Sequence, residues 1–166
     1  MKPTAVYKGE SVSPDSVKFK TEFQGIPIRV DRPRGLMMLG TDGKGKKWSR
    51  RYRYDYGYIP KTLGGDGDGL DVFLGPRKKS PHAFWAVQRK DDGSFDEYKV
   101  FLGFDNRDEA MAVYRQHIPK KLLAGMMSMK VTMMKAMLGY NPDVLLKTAM
   151  WTSFFGTLAG KARLDV

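Results

Sequence analysis

The sequence predicts an α+β fold in which a mostly β core is followed by C-terminal helices. In the middle of the chain, short apolar runs alternate with turns rich in Gly and Asp, which is typical of a small β-barrel or β-sandwich. Beyond Asn106 the pattern changes to longer segments with helical spacing of the apolar residues. A length of 166 residues and a hydrophobic content of 42% suit one domain with its own core.

Taken in order, the elements divide the chain into three segments. Residues 1–24 are polar and are predicted to form an N-terminal arm or edge element. Residues 25–118 are predicted to form the β domain with its first helix, which begins near Asp108 because acidic side chains suit the first turn of a helix. Residues 119–166 are predicted to form a Met-rich, basic, helical region. The predicted strands cover 26–30, 36–39, 72–74, 83–87 and 98–102.

Composition excludes several classes of protein. The chain has no cysteine, so disulfide scaffolds, thiolate catalysis and cysteine-bound metals are ruled out. Its two histidines, His82 and His117, are predicted to be surface residues, so any metal is expected to be a hard cation held by oxygen atoms. The net charge of +11 favours a polyanionic substrate or partner. We expect no membrane span and a cytoplasmic location, because no long apolar run or signal peptide is present.

The densest chemical feature is an acidic, glycine-rich segment directly before a predicted strand. It contains Asp66, Asp68 and Asp71 with glycines between them. Glycine lets the backbone fold tightly enough for the carboxylates to converge, and their mutual repulsion favours a divalent cation. An EF-hand is excluded because Leu70 stands where that loop needs an oxygen ligand. A solvated Asp-Gly turn is the alternative interpretation.

The residues around this segment carry a family resemblance. Tyr-Gly-Tyr-Ile at 56–59, then Thr-Leu and Asp-Gly-Asp-x-Leu-Asp-Val ending at Val72, resembles the signature of the family I soluble inorganic pyrophosphatases. With Asp55 and the run Asp-Val-Phe-Leu-Gly-Pro, the segment is most similar to the pyrophosphatase-like domain of phage and mobile-element proteins. The resemblance is dense over 55–76 and extends over about 26–115. It implies an OB-like, mostly antiparallel β-barrel and Mg²⁺-dependent hydrolysis of pyrophosphate or a related phosphoanhydride by a water activated between two metal ions.

The same resemblance implies a role for individual residues. The implied metal ligands are Asp66, Asp68, Asp71, Asp92 and Glu97. Asp71 is expected to bridge two Mg²⁺ ions and Asp68 to act as the base near the attacking water, with Tyr56 and Lys99 as further catalytic residues. The implied phosphate-binding residues are Arg29, Lys99, Arg51, Tyr114 and Arg115.

The sequence also departs from the family pattern. Gly69 replaces the usual proline and is expected to loosen the acidic loop, and Asp55 replaces an asparagine. Glu97 stands where the family has aspartate, and Asp91 and Asp96 offer an alternative register for the second acidic pair. These departures bear on catalysis more than on the fold.

A basic run over 44–53 interleaves cations with Trp48 and Tyr52. It has three interpretations: a β-hairpin with one solvated cationic face, a binding surface for substrate phosphate, and a nucleic-acid surface that combines phosphate contacts with stacking. The family's phosphate-binding arginine is not uniquely placed among its cations, of which Arg51 is the one we select. The candidates are Lys44, Lys46, Lys47, Arg50, Arg51 and Arg53.

The C-terminal region suggests a second class of function. Methionines and leucines over 120–138 advance by threes and fours, which predicts a helix with a broad apolar stripe. The stripe is expected either to pack on the β domain or to form an adaptable protein-binding face. With the apolar segment 144–158, it suggests a homo-oligomer or a larger assembly through 120–166. The alternative function is therefore a phage-type structural or virion protein that keeps the pyrophosphatase fold with weak or no catalysis.

Overall fold

The chain forms two β-sheets and two α-helices over residues 2–62 and 69–138, the parts that this computed structural model describes. The strands are β1 (Thr4–Tyr7), β2 (Glu10–Val12), β3 (Phe19–Phe23), β4 (Ile26–Arg32), β5 (Met37–Thr41), β6 (Lys47–Arg51), β7 (Asp55–Ile59), β8 (Leu70–Leu74), β9 (His82–Arg89), β10 (Phe95–Leu102) and β11 (Leu123–Lys130). The α-helices are α1 (Arg107–His117) and α2 (Val131–Leu138), and short 3₁₀ helices cover Pro14–Val17 and Lys120–Leu122. Neither α-helix is long and apolar enough to cross a membrane.

The strands pair into a four-stranded sheet, β2-β1-β5-β6, and a seven-stranded sheet, β11-β9-β10-β8-β7-β4-β3. Among the described strands only β8 and β10 pair in parallel, so the predicted mostly antiparallel β fold with helices is confirmed. The predicted closed barrel is not found there, because β11 and β3 remain opposite edges. Met134 and Leu138 of α2 share one apolar cluster with Phe23 of β3, so a helix, not a strand pair, connects the two ends of the sheet.

All five predicted strands coincide with observed ones, and the segment expected to be an arm or edge element is itself built of strands. Its strands β2 and β3 form edges of the two sheets. Two-residue turns at Lys8-Gly9 and Gln24-Gly25 connect these hairpins, with φ angles of 52° and 84° in the first and 49° and 85° in the second. Such positive φ angles match the tight turns that favour glycine.

The prediction of a helix over 120–138 is wrong for its first part. Residues 123–130 form β11, antiparallel to β9, and within 120–138 only Val131–Leu138 is α-helical. Met126 packs into the core beneath α1, whereas Met127 and Met129 pack against the core on the other face. Both faces of this strand are apolar, so the spacing of its apolar residues fits a strand as well as a helix. The segment is a strand because it pairs with the edge of β9.

The seven-stranded sheet has an apolar core on each face, and alternation along the strands assigns side chains to one or the other. In β8, Val72 joins the core that includes α2, whereas Phe73 joins the core that includes α1. Residues two apart in a strand share a face, and so do register partners in neighbouring strands. Asp71 and its partner Lys99 in β10 therefore lie on the α1 face beside Phe73.

Candidate active site

Polar side chains meet on the α1 face where β7, β8 and β10 run side by side. Tyr58, Asp71 and Lys99 are register partners in one row across these strands. Tyr56 lies two residues before Tyr58 and therefore on the same face. Because β7, β8 and β10 are each paired on both sides, the backbone beneath this row is fixed by the sheet.

Asp71 and Lys99 of this row join two neighbouring side chains in a compact hydrogen-bonded group, here called the Lys99 cluster: Tyr56, Asp71, Glu97 and Lys99. Lys99 Nζ donates to Asp71 Oδ2 at 2.6 Å and pairs with Glu97 Oε1 at 2.9 Å. Tyr56 donates its hydroxyl proton to Asp71 Oδ2 at 2.5 Å and lies 3.3 Å from Lys99 Nζ. The Lys99 side chain is only 8% exposed. Two carboxylates thus share one buried ammonium group.

Burial and mutual attraction set the protonation states of the cluster. Burial raises the pKa of Tyr56 well above its usual range. Burial alone would lower the pKa of Lys99, but its interactions with Tyr56, Asp71 and Glu97 outweigh that effect and hold the pKa above its ordinary value. Burial also raises the pKa of Glu97, against the pull of Lys99. Near neutral pH, Tyr56 is therefore a neutral hydroxyl group and Lys99 a charged ammonium.

The buried side-chain amide of Gln88, which the sequence-based prediction missed, hydrogen-bonds to the Lys99 cluster. Gln88 at the end of β9 donates to Asp96 Oδ2 at 2.8 Å and to Glu97 Oε1 at 3.1 Å. Its own carbonyl oxygen accepts from the hydroxyl group of Tyr114, at 3.1 Å. Tyr114, a predicted phosphate-binding residue, is fully buried, and the hydrogen bond that links its side chain toward the cluster within the described residues ends on Gln88. The signal that could have identified Gln88 is an amide directly after an uninterrupted apolar strand.

Arg29 extends the row on its far side. It is the register partner of Tyr58, and it shares that face with Asp71 and Lys99. Two strand spacings separate its backbone from that of Asp71, roughly 10 Å, which is within reach of a long arginine side chain. The phosphate-binding role that the resemblance implies for Arg29 stays a prediction.

The other predicted site residues lie elsewhere. Asp92 is exposed in the turn between β9 and β10, where it accepts from the backbone and hydroxyl group of Ser94, which lower its pKa. Arg51 is exposed in β6, and Arg115 is exposed on α1. Asp66 and Asp68 lie outside the described residues, and within the described parts no three acidic or histidine side chains converge as a metal site would require.

Two glycines allow the close packing of the signature segment. A Cβ atom at Gly57 would lie 1.8 Å from the carbonyl oxygen of Arg29, so only glycine lets β7 approach β4 there. A Cβ atom at Gly69 would lie 2.5 Å from the ring of Tyr58 and 2.9 Å from the carbonyl oxygen of Ile59. A glycine at position 69 therefore permits the close packing against Tyr58. The sequence predicted only that it would loosen the acidic loop.

The two ends of the acidic segment are held together at the cluster. The hydroxyl group of Thr62 donates to the carbonyl oxygen of Ile59 and accepts from the backbone N–H of Leu70, at 2.8 Å. Ile59 and Leu70 are also register partners in the sheet. The chain therefore enters and leaves residues 63–68 directly beside Asp71.

His117 lies beside this site, and the prediction that it is a surface residue is wrong. Its side chain is buried at the end of α1, between the rings of Tyr52 and Phe73. The reason is that Tyr52, directly after β6, stacks on the His117 ring at the end of the helix. His82 is exposed as predicted. Asp55, which stands in place of the family's asparagine, accepts from the backbone N–H of Arg34 at 2.7 Å.

Comparison with known proteins identifies the family of the chain. The family model described as Inorganic Pyrophosphatase matches residues 4–139. Because that match spans most of the 166 residues, the chain belongs to the inorganic pyrophosphatase family.

A solved structure that resembles the chain is an inorganic pyrophosphatase from Coxiella burnetii, at 20% sequence identity and a TM-score of 0.28. The alignment covers 57% of this chain and 64% of that one, so the chain spans less than two thirds of its length. This likeness is too loose to transfer any residue position. A search of the curated proteins gave no match.

Proposed function

We propose that this chain hydrolyses inorganic pyrophosphate, using Mg²⁺ held at the Lys99 cluster and the acidic segment beside it. The observation that carries the proposal is the hydrogen-bonded group of Tyr56, Asp71 and Lys99 on paired strands, in a chain of the pyrophosphatase family. The acidic segment is continuous in sequence with Asp71, which places further carboxylates close by along the chain.

The donor set suits a hard divalent cation. Both short bonds that Asp71 makes within the described residues end on Oδ2, which leaves Oδ1 to face a metal ion. The cluster has two carboxylates and one ammonium group, so an added cation relieves an excess of negative charge. Asp71 and Glu97, with Asp66 and Asp68 from the acidic segment, would hold Mg²⁺ through oxygen atoms. When bound, Mg²⁺ neutralises phosphate charge and lowers the pKa of a bound water molecule.

The protein's own groups would bind and orient the anion. Tyr56 keeps its proton near neutral pH and can donate it to a phosphate oxygen in place of Asp71 when the anion binds. Lys99 supplies a fixed positive charge where negative charge grows on the leaving phosphate. Arg29, further along the same row, would hold the other phosphoryl group. Asp68 is proposed as the base near the attacking water.

The test is phosphate release from pyrophosphate with Mg²⁺, with and without a chelator, for the wild type and for Asp68→Asn. We expect release that the chelator abolishes and that the substitution lowers by at least about a hundredfold, the usual effect of removing a general base. Asp15→Asn is the matched control, because Asp15 is exposed and pairs only with Lys18 among the described residues. Folded, Mg²⁺-supplied protein without release would contradict the proposal and favour the alternative, a phage-type structural protein that assembles through 120–166.

A further inference from the structure

The hairpin of β5 and β6, with the two residues that follow it, forms one side of the smaller sheet. It is here called the basic hairpin, residues 37–53. β6 is the last strand of the described sheet on that side, and every residue of β6 is exposed. The hairpin carries six cations, and all of them are exposed: Lys44, Lys46, Lys47, Arg50, Arg51 and Arg53. It therefore presents a concentrated positive charge along an edge strand.

The charge of these cations is not balanced by neighbouring carboxylates. Within the described parts of the chain, none of the six forms an ion pair. The hairpin has one carboxylate of its own, Asp42, whose Oδ1 accepts from the backbone N–H groups of Lys44 and Lys46 at 2.9 Å each. Asp42 thus shapes the turn and holds no cationic side chain. An unbalanced group of cations of this kind attracts polyanions.

Trp48 adds a large aromatic ring among the cations. It is 40% exposed and belongs to none of the apolar clusters that the described residues form. Its register partner in β5 is Gly40, where a Cβ atom would lie 2.5 Å from the indole Cε2 and 2.9 Å from Nε1. The ring therefore lies against the backbone of Gly40, which holds it on the sheet and leaves it partly exposed. A ring held in this way can stack on another flat ring.

The strand geometry places cations on both sides of this ring. Trp48 and Arg50 are two residues apart, so their side chains leave β6 on one face, with the backbones roughly 7 Å apart. Lys47 and Arg51 leave on the other face. Because β6 is an edge strand, a polymer that runs beside it can contact the cations of both faces. An aromatic ring flanked by cations is the arrangement that binds single strands by stacking and phosphate contacts together.

We propose that the basic hairpin binds single-stranded nucleic acid, with Trp48 stacking on an unpaired base and the neighbouring cations contacting phosphates. Every base has a flat face, so this binding needs no particular sequence, and DNA and RNA share its chemistry. In a duplex each base is stacked between its neighbours and has no free face for Trp48. An acidic peptide would use the cations and leave Trp48 without a partner. The inference goes beyond pyrophosphate hydrolysis and does not depend on it.

The competing explanation is that Trp48 only covers the backbone of Gly40, as aromatic side chains do opposite glycines in sheets. Trp48→Leu keeps an apolar side chain there and removes the aromatic face, whereas Trp48→Phe restores such a face. Binding of labelled oligo(dT) and oligo(U) of about 12 nucleotides is measured by fluorescence anisotropy on the full chain without Mg²⁺. We expect Trp48→Leu to weaken binding at least about fivefold and Trp48→Phe to recover most of it. Equal binding by wild type and Trp48→Leu would overturn the proposal.

A second pair of variants tests the cations without changing Trp48. Lys46→Gln/Lys47→Gln removes two cations of the hairpin. Lys78→Gln/Lys79→Gln is the matched control, because these neighbouring lysines are also exposed and form no ion pair with the described residues. Both variants have the same net charge. We expect the slope of log affinity against log salt to become shallower by about 1 in the hairpin variant and to stay unchanged in the control. Equal slopes in the two variants would mean that net charge alone attracts the nucleic acid, which would overturn the proposal.

Two further probes separate a single strand from other polyanions: a DNA duplex of the same length and polyglutamate. We expect Trp48→Leu to weaken binding of the single strand and to leave binding of the duplex and of polyglutamate unchanged. The same loss for all three probes would contradict stacking and would assign the hairpin to polyanions in general. Since these measurements contain neither Mg²⁺ nor pyrophosphate, a chain that does not hydrolyse pyrophosphate leaves this inference standing. An absent Trp48 effect likewise leaves the proposed function standing.

Discussion

At the scale of single residues, Lys99 holds the candidate site together. It is the one cation among four side chains that include two carboxylates, and it is almost fully buried. A buried charge is stable only while its partners are present, so its removal leaves Asp71 and Glu97 to repel each other. The role of Lys99 was predicted only from the family resemblance, and its burial became known only from the structure.

We expect Lys99→Met to lower the free energy of unfolding by about 3 kcal/mol, because it leaves two uncompensated carboxylates. Urea unfolding near neutral pH measures the loss. Lys121→Met is the matched control, since Lys121 and Asp91 form an ion pair in which both side chains are largely exposed, and such pairs contribute about 1 kcal/mol or less. Equal losses in both variants would contradict a structural role for the Lys99 cluster.

His117 makes a prediction about acid stability. Burial, with Arg50 and Arg53, lowers its pKa from 6.5 to about 4, so the folded state holds it neutral while the unfolded state binds a proton. The contribution of His117 to the free energy of unfolding is therefore fully present above pH 6.5. It falls as the pH drops from 6.5 toward 4, by at most about 3 kcal/mol and by less after solvent screening.

Comparison of wild type with His117→Phe isolates this contribution, since the carboxylates titrate equally in both. We expect the stability difference between the two proteins to grow in favour of the variant over that pH range. The measurement is urea unfolding at a series of pH values. If the free energy of unfolding depended on pH in the same way for both proteins, His117 would bind its proton equally well in the folded and unfolded states, which would contradict the lowered pKa.

At the scale of elements, the sequence predicts strands well where the apolar run is short and turns bound it. The strands β4, β5, β8, β9 and β10 are all found this way. The strand β11 was not predicted, because the spacing of its methionines fits both a helix and a strand. Its pairing with the edge of β9 makes it a strand. The cluster residues Tyr56, Asp71 and Lys99 were all named from the sequence, whereas the burial of His117 and the hydrogen bonds of Gln88 were not predicted. Their roles depend on contacts between elements far apart in the chain.

At the scale of elements, we predict the effect of replacing Gly69 on stability. We expect Gly69→Ala to destabilise the protein by about 1–3 kcal/mol, because the new methyl group meets the Tyr58 ring and the backbone of Ile59. Gly43→Ala is the matched control: its Cβ atom meets nothing within 4 Å, and the backbone there does not have a positive φ angle. Thermal unfolding of both variants tests the account, and an unchanged Gly69→Ala protein would show that the contact with Tyr58 is not needed.

At the scale of the whole molecule, the net charge is +11, although the Lys99 cluster itself holds two carboxylates and one ammonium group. β6, exposed along its whole length, contributes part of this positive charge at the edge of the smaller sheet. A positive field of this kind attracts small polyanions and is screened by salt. The nucleic-acid role of residues 44–53 and assembly through 120–166 stay predictions.

The field predicts a salt effect on the encounter with pyrophosphate. We expect kcat/KM to fall severalfold as the ionic strength rises from about 0.01 to 0.15 M, since the screening length shortens from about 30 to 8 Å. Initial rates in KCl at fixed free Mg²⁺ measure this dependence. A kcat/KM that does not change with salt would mean that the basic surface plays no part in substrate capture.

The most direct test of the central claim is to follow pyrophosphate and orthophosphate by ³¹P NMR in the presence of Mg²⁺, with wild type and Asp71→Asn in parallel. Asp71 lies at the centre of the Lys99 cluster, where its Oδ2 accepts from both Tyr56 and Lys99. We predict that the wild type converts pyrophosphate to orthophosphate and that Asp71→Asn is slower by at least about a hundredfold. Equal conversion by both proteins would contradict the assigned site, and no conversion by either would contradict the proposed function.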